Sequence, residues 1–240
     1  MNPILKYALI AFLLSTIKTI PLAYCCRFYY RVLLNLVVPM STYRKNGKKN
    51  TFGIDGQNKL RLFEHTLMKT YVSPMEIDPY FHKSNSTYFI DLDIARTDTV
   101  TKIFQKAFFD AYSNDSGEFK SKSLANFPYV PIATIQCVFK AELTLFQRYE
   151  IKSRVMAWDN KWLFVLSKFV VPKGNSEKLC AIAVTKYVFK KKGRITIRPI
   201  EMIKECGLYS EEVENINKKN YELVKYMSSS EDLEKLCEEF

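Results

Sequence analysis

The sequence predicts an α+β fold in which one long helix is embraced by an antiparallel sheet. Three observations carry this: one strand-like segment early in the body, an uninterrupted helical run from Asn85 to Tyr112, and then four or five strand-like segments in succession. A helix and a sheet each present a face that must be covered, so a lone helix after the first strand has to be wrapped by the strands that follow. The 240 residues suffice for one sizeable domain with an appendage, or for two small domains. Hydrophobic residues make up 48% and aromatic residues 14%, which suits a real core with a roomy apolar interior.

The N-terminal element comes first. Residues 3–40 hold two apolar stretches divided around Pro21. Ile4 to Tyr24 is long enough for a bilayer span of roughly 20 residues, with Lys6 and Lys18 near enough to an interface to snorkel. Phe28 to Met40, led by Arg27 and Arg31, reads as an interfacial helix. No small-x-small site closes the first stretch, and Arg and Ser are sparse, so residues 1–40 are expected to be an uncleaved membrane anchor. A mitochondrial signal and a buried helix pair are the alternatives, and the endoplasmic reticulum is favoured over the mitochondrion. Residues 41–60 are polar and basic, as a juxtamembrane linker facing anionic lipid would be.

Most of the formal charge of +11 belongs to this segment. Eight basic residues and no acid precede Asp55, while the remainder carries 28 basic and 25 acidic residues. A nucleic-acid domain would instead spread Lys and Arg over a folded face. The six cysteines contain no C-x-x-C pair and there are only two histidines, His65 and His82, which argues against a zinc site, a disulfide framework and a multi-histidine metal centre. No cofactor is expected.

In the body, residues 67–77 form a first strand, with Pro74 at an edge or bulge. DPYFHKS is a turn, and Ser84 or Asn85 caps the helix that follows. Tyr88, Leu92, Ala95, Val100, Ile103, Phe104, Ala107 and Phe108 recur mostly at spacings of three and four. Residues 113–123 form a loop, and 130–143 return to strand. Residues 148–157 and 162–171 flank WDNKW as a hairpin, and 179–189 with 194–197 complete the sheet. Residues 210–240 read as a helical acidic tail, leaving 61–209 as the domain. One long helix wrapped by a curved antiparallel sheet is the hotdog arrangement.

Three stretches carry a family resemblance. Asp78-x-x-x-His82-x-Ser84-Asn85-x-x-Tyr88 is similar to a D-x-x-x-H-x-N-N-x-x-Y signature. Leu145 to Val170 looks like a central hairpin, and the run from Lys18, KTIPLAYCCRFYYRVL, looks like an anchor-proximal segment. Together they resemble the hotdog-fold thioesterase superfamily, and within it the fungal branch of its membrane-anchored thioesterase-like proteins. Ser84 stands where that family has the first Asn of its pair.

The resemblance implies hydrolysis of an acyl-CoA or acyl-carrier thioester, with Asp78 as base or nucleophile and the stretch from Asp78 to Tyr88 lining the acyl pocket. His82 would orient water or donate to the thioester, and Asn85 would hold the loop or contact substrate. Backbone N–H groups around Asn85 and Ser86 would polarise the carbonyl, because a helix N-terminus favours developing negative charge. Ser84, Ser86 and Tyr88 complete the substrate contacts, and Lys190 with Arg194 offers a phosphate clamp for coenzyme A. Each residue has a plainer reading. Asp78 before Pro79 suits an Asx turn, His82 could satisfy loop backbone, and the cluster at 190–198 could be a solvated hairpin tip. Asp91 and Asp93 are further helix carboxylates, two positions apart and so facing differently. A catalytically inactive hotdog protein that binds acyl groups or organises a membrane complex is the alternative function, and an acyl-CoA dehydratase is a third. The free sheet edge predicts a homodimer.

Overall fold

The computed structural model describes residues 2–192, 194–230, 234 and 237. At its centre lies a five-stranded sheet ordered β1-β3-β4-β5-β2. It comprises β1 (Thr66–Tyr71), β2 (Ile132–Phe139), β3 (Arg148–Trp158), β4 (Leu163–Lys173) and β5 (Ser176–Tyr187), all pairings being antiparallel. The period of two decides which side chains meet the helix. Tyr149, Ile151 and Val155 of β3, Val165 and Phe169 of β4, and Ala181, Ala183 and Tyr187 of β5 form one buried face.

Against that face packs α4 (Asn85–Ile103), continued by α5 (Gln105–Ser113). The single run expected over 85–112 is divided at Phe104, whose backbone leaves helical geometry while its ring is fully buried, 5.0 Å from that of Phe189. Asn114 ends α5 in the left-handed region (φ 56°), a common residue for that cap. The strand expected at 194–197 does not join the main sheet. It forms β7 (Ile195–Ile197), paired with β6 (Phe189–Lys191) in a separate ribbon.

The C-terminal segment is more than a tail. After α6 (Pro199–Glu205), α7 (Glu211–Tyr221) lies on the far side of the sheet, where Phe164 and Met156 meet Val224, Met227 and Tyr221. Its first turn holds Glu211, Glu212 and Glu214, acids that complement a helix N-terminus, and Ser210 caps it by accepting the N–H of Val213 at 3.2 Å. Apart from Glu234 and Cys237, residues 231–240 lie outside the described residues.

The N-terminal segment departs most from expectation. No helix among the described residues is long and apolar enough to cross a membrane. The apolar stretch Ile4 to Tyr24 is broken: α1 (Pro3–Thr16) stops after 14 residues, and the chain turns through Leu22 (φ 67°) into α2 (Ala23–Val32). Pro21 has no N–H with which to continue a helix, and Lys18 supplies a polar anchor. Instead of snorkelling to an interface, it turns into the domain and pairs with Glu76 at 2.8 Å and Asp91 at 3.1 Å.

Helix α2 is no free interfacial helix either. It continues as a π-helical turn, Leu33–Val37, and lies along α4, where Arg27 meets Asp91 at 2.7 Å and Arg31 meets Asp98 at 3.6 Å. Residues 41–60, expected to be a linker, are packed as well. α3 (Met40–Lys45) buries Tyr43 against Phe109, and the side chain of Asn50 donates to the carbonyl of Lys102 at 2.8 Å. Lys18, Arg27 and Arg31 of this strap, residues 17–50, thus find acids on α4, the helix it covers.

Candidate active site

Asp78 opens a tight turn held at both ends. Ser73 and Glu76 form a capping box before it, and Ile77 bridges Lys83 across it. The N–H of Asp78 donates to the carbonyl of His82 at 2.8 Å, and the N–H of Phe81 to the carbonyl of Asp78 at 3.0 Å. The carboxylate itself completes an Asx turn: Oδ1 accepts the N–H of Tyr80 at 2.9 Å and of His82 at 3.3 Å. Oδ2 accepts no hydrogen bond among the described residues. One oxygen therefore fixes the turn while the other stays available. Phe81 sits at φ 61°, where a bulky residue is rare.

His82 pairs through its backbone with Thr144, and its Nε2 lies 3.2 Å from a carboxylate oxygen of Glu142. Ser84 caps α4 by position, its own N–H donating to the carbonyl of Glu76 at 2.7 Å. Its hydroxyl meets that of Ser86 at 3.0 Å and makes no cap bond to the helix backbone. Asn85 and Ser86 follow in the first turn, where backbone N–H groups precede the intrahelical ladder. Tyr88, one turn further, is buried between Phe139 and Phe169, with ring centroids 5.1 and 5.0 Å away.

These residues border one cleft of about 410 Å³. Asp78, His82, Asn85 and Tyr88 line it from the loop and helix, and Phe139, Lys140, Ala141 and Glu142 line it from the end of the edge strand β2. Its volume falls in the range of small-molecule sites, roughly 300–1,000 Å³. Ser84 and Ser86 flank it without being part of its wall. Lys190 and Arg194 stay apart from it: they belong to the β6–β7 hairpin, where Lys190 Nζ donates to the carbonyl of Arg194 and to Thr196. Residues 139–142 escape a local reading of sequence, because only the pairing of β2 with β5 and the bridge from His82 to Thr144 bring them beside Asp78.

Directly behind the turn is a buried ionic cluster. Lys18 and Lys83 each bridge Glu76 and Asp91: Lys83 Nζ is 3.0 Å from Glu76 and 3.1 Å from Asp91. Asp91 also accepts Arg27 at 2.7 Å and the hydroxyl of Tyr149 at 2.5 Å. Burial alone would raise the Asp91 pKa, but Lys83, Lys18 and Arg27, helped by Tyr149, hold it well below the usual carboxylate value. Burial lowers the Lys18 pKa and raises that of Tyr149. Asp93, the other helix carboxylate, accepts the hydroxyl of Tyr24 and pairs with Arg96 at 3.2 Å. Neither of these helix carboxylates lines the cleft, which leaves it to Asp78 and Glu142.

A family model described as "Thioesterase-like superfamily" matches residues 72–206. A probable thioesterase of Saccharomyces cerevisiae is 41% identical over 223 residues, covering 92% of this chain and 88% of its own. A probable thioesterase of Emericella nidulans is 32% identical over 232 residues, covering 87% and 73%. The crystal structure of a probable thioesterase from Escherichia coli covers 60% of this chain and 98% of its own, with a TM-score of 0.48 and 15% identity.

Proposed function

Because this chain belongs to the thioesterase-like superfamily, we propose that it hydrolyses acyl-CoA, or an acyl-carrier thioester, in the cleft beside Asp78. The observation that carries the reading is the division of labour within Asp78. Oδ1 is spent on the turn, while Oδ2 takes no partner among the described residues on a wall shared with the start of α4.

As a base, Asp78 takes a proton from water as the water oxygen attacks the thioester carbon. The carbonyl electron pair moves onto oxygen, where the N–H groups of Asn85 and Ser86 stabilise it. Collapse then breaks the C–S bond, and the thiolate recovers the proton from Asp78. As a nucleophile, Asp78 would instead form an acyl anhydride that water later opens. His82, held by Glu142, orients the water. Tyr88, Phe139 and Ala141 supply apolar contact for the acyl group. Lys140 is the exposed cation on the wall nearest in role to the phosphate clamp expected of Lys190 and Arg194.

Asp78→Asn tests the assignment, because Asn keeps the Asx turn and loses the base. Turnover of an acyl-CoA panel should fall by roughly 10²- to 10⁴-fold with unchanged thermal unfolding, and an unchanged rate removes Asp78 from the chemistry. Label in the Asp78 carboxyl after a single turnover in ¹⁸O-water would establish the nucleophilic route, with water opening the anhydride at the Asp78 carbon. Tight binding of the panel by the wild type without hydrolysis would favour the inactive alternative.

Two further parts of the reading concern the setting. Strand β2 is an edge on which Ile132, Val138 and Phe139 stay exposed, which supports a homodimer across that edge. Light scattering giving a monomer would contradict it. Helix α1 is acid-free and exposes Ile4, Leu5, Leu9, Phe12 and Leu13, which supports attachment to a membrane surface, that of the endoplasmic reticulum in this proposal. A tagged chain found at another membrane would overturn that location.

A further inference from the structure

The strap and the Asp78 turn meet in one fully buried set of charges. Side-chain exposures of Lys18, Glu76, Lys83 and Asp91 are 6%, 2%, 0% and 0%. Glu76 lies two residues before Asp78, and Lys83 follows His82. Lys18 comes from a part of the chain far upstream, and Asp91 from the second turn of α4. The two carboxylates are joined through the two ammonium groups between them, beside the backbone bond from Ser84 to the carbonyl of Glu76. Glu76 is further committed by accepting the N–H of Ser73 at 2.8 Å. Around Lys18, Thr19 shares a hydrogen bond with Ser73 at 2.9 Å, and the hydroxyl of Tyr71 donates to the carbonyl of Ser15 at 2.9 Å. The end of α1 is thus seated against the entrance to the turn.

We infer that Lys18 is a positioning residue for the active site, tying the turn that carries Asp78 to helix α4 through Glu76 and Asp91. It is not among the residues that line the cleft and makes no bond to Asp78, so it acts through Glu76 and Asp91. The inference rests on the reading of Asp78 given above. On this view the segment around Lys18 is part of the catalytic scaffold, as well as the link to α1. A buried ammonium with two carboxylate partners has little freedom, and what it fixes is the separation of residues 76 and 91. An error of about 1 Å in such a placement can lower a rate by roughly a hundredfold.

A matched control exists within the same strap. Arg31 also joins α2 to α4, through Asp98, but Asp98 lies two turns further along the helix from Asp91 and has no contact with the 76–84 turn among the described residues. Lys18→Met, Lys18→Gln and Arg31→Met are compared in the full chain, with thermal unfolding confirming that each variant folds. The Gln variant retains a donor and serves if Met does not fold. Hydrogen–deuterium exchange of residues 76–84 should rise about tenfold in the Lys18 variants and stay at the wild-type rate in Arg31→Met. In the acyl-CoA assay the Lys18 variants should lose kcat by roughly a hundredfold with KM within about twofold, while Arg31→Met keeps both. Exchange that rises equally in all variants, or a Lys18 variant with wild-type kcat, overturns the inference. If the wild type hydrolyses nothing, the thioesterase reading fails, and the exchange result still decides whether Lys18 holds the turn.

Discussion

The side-chain oxygen of Asn217 accepts the backbone N–H of Trp158 at 2.8 Å, with both residues buried. It fastens α7 to the end of β3, just past the point where the strand pairing shifts register between Val155 and Ala157. Asn220 adds a second tie, donating to the carbonyl of Met156 at 2.8 Å. Removing the acceptor strands a buried donor, at a cost of roughly 1–3 kcal/mol. Asn217→Ala should therefore lower Tm by several degrees, given about 2–4 °C per kcal/mol in a chain of this size. Differential scanning calorimetry reads this directly, and a Tm equal to that of the wild type would show the C-terminal segment to be dispensable.

Gln105 makes a comparable tie at the other side of the molecule. Its amide nitrogen donates to the carbonyl of Asn35 at 2.7 Å, and its oxygen accepts the N–H of Thr51 at 2.7 Å. Gln105→Leu keeps apolar volume and leaves both backbone groups without their partner, at roughly 1–3 kcal/mol each. The expected outcome is a marked drop in the urea midpoint, together with faster amide exchange at residues 33–37 and 50–52. Equal exchange there would mean that water replaces the lost amide.

Gln105 also explains what was and was not legible in the sequence. The long helix and the strands were legible because periodicity is local: Tyr88, Leu92 and Ala95 mark one face of α4, and the hairpin around Asp159 declares itself. The adjoining face of the helix carries its own message. Asp91, Asp98 and Gln105 recur every seven residues, nearly two full turns, so they share a stripe. Arg27, Arg31 and Asn35 recur every four and share a stripe on α2 and its π-helical continuation. The structure lays one stripe on the other, with Arg27 on Asp91, Arg31 on Asp98, and Asn35 on Asp98 and Gln105.

Hydropathy hid this pairing, because an apolar segment dotted with arginines reads equally as an interfacial helix. What distinguishes the two is an acidic counter-stripe more than sixty residues away, a relation between distant segments that no window along the chain contains. The Asp78 turn was legible for a similar reason in reverse, since Asx-turn chemistry lies within five residues. Its cleft partners Phe139 to Glu142 come from β2, and only the strand order brings them there.

Part of the acid sensitivity of the fold should run through Asp91. Its pKa is held below the ordinary 3.8, chiefly by Lys83, Lys18 and Arg27 acting against burial. A carboxylate depressed in the folded state contributes its stabilisation in full above its unfolded pKa, and loses it as pH falls through the folded value. Asp91→Asn removes that contribution, leaving Lys18 and Lys83 with Glu76 alone and Arg27 without its carboxylate. At pH 7 the cost should be about 3–5 kcal/mol, as for a broken buried pair. Below pH 3.8 the gap between wild type and variant should narrow, because the wild type is losing what the variant already lacks. Unfolding curves at pH 7 and pH 3 test both limbs, and a gap of constant size would show that Asp91 is not the group that titrates.

The apolar surface of α1 leads to the last prediction. Leu9 and Leu13 lie one turn apart and are about half exposed, at 48% and 53%, in a helix that carries no acid. Each leucine withdrawn from water contributes about 1.5–3 kcal/mol, so two glutamates in their place should weaken attachment to vesicles containing anionic phospholipid by well over tenfold. The fold should hardly notice, since exposed positions away from any packed contact usually change stability by no more than about 0.5 kcal/mol. Raising the salt concentration supplies the complementary test. It screens the attraction of Lys6 and the basic residues 44–49 to anionic lipid, and leaves the apolar part of the binding in place. A Leu9→Glu/Leu13→Glu chain that sediments with vesicles as the wild type does would move the proposed attachment to another surface.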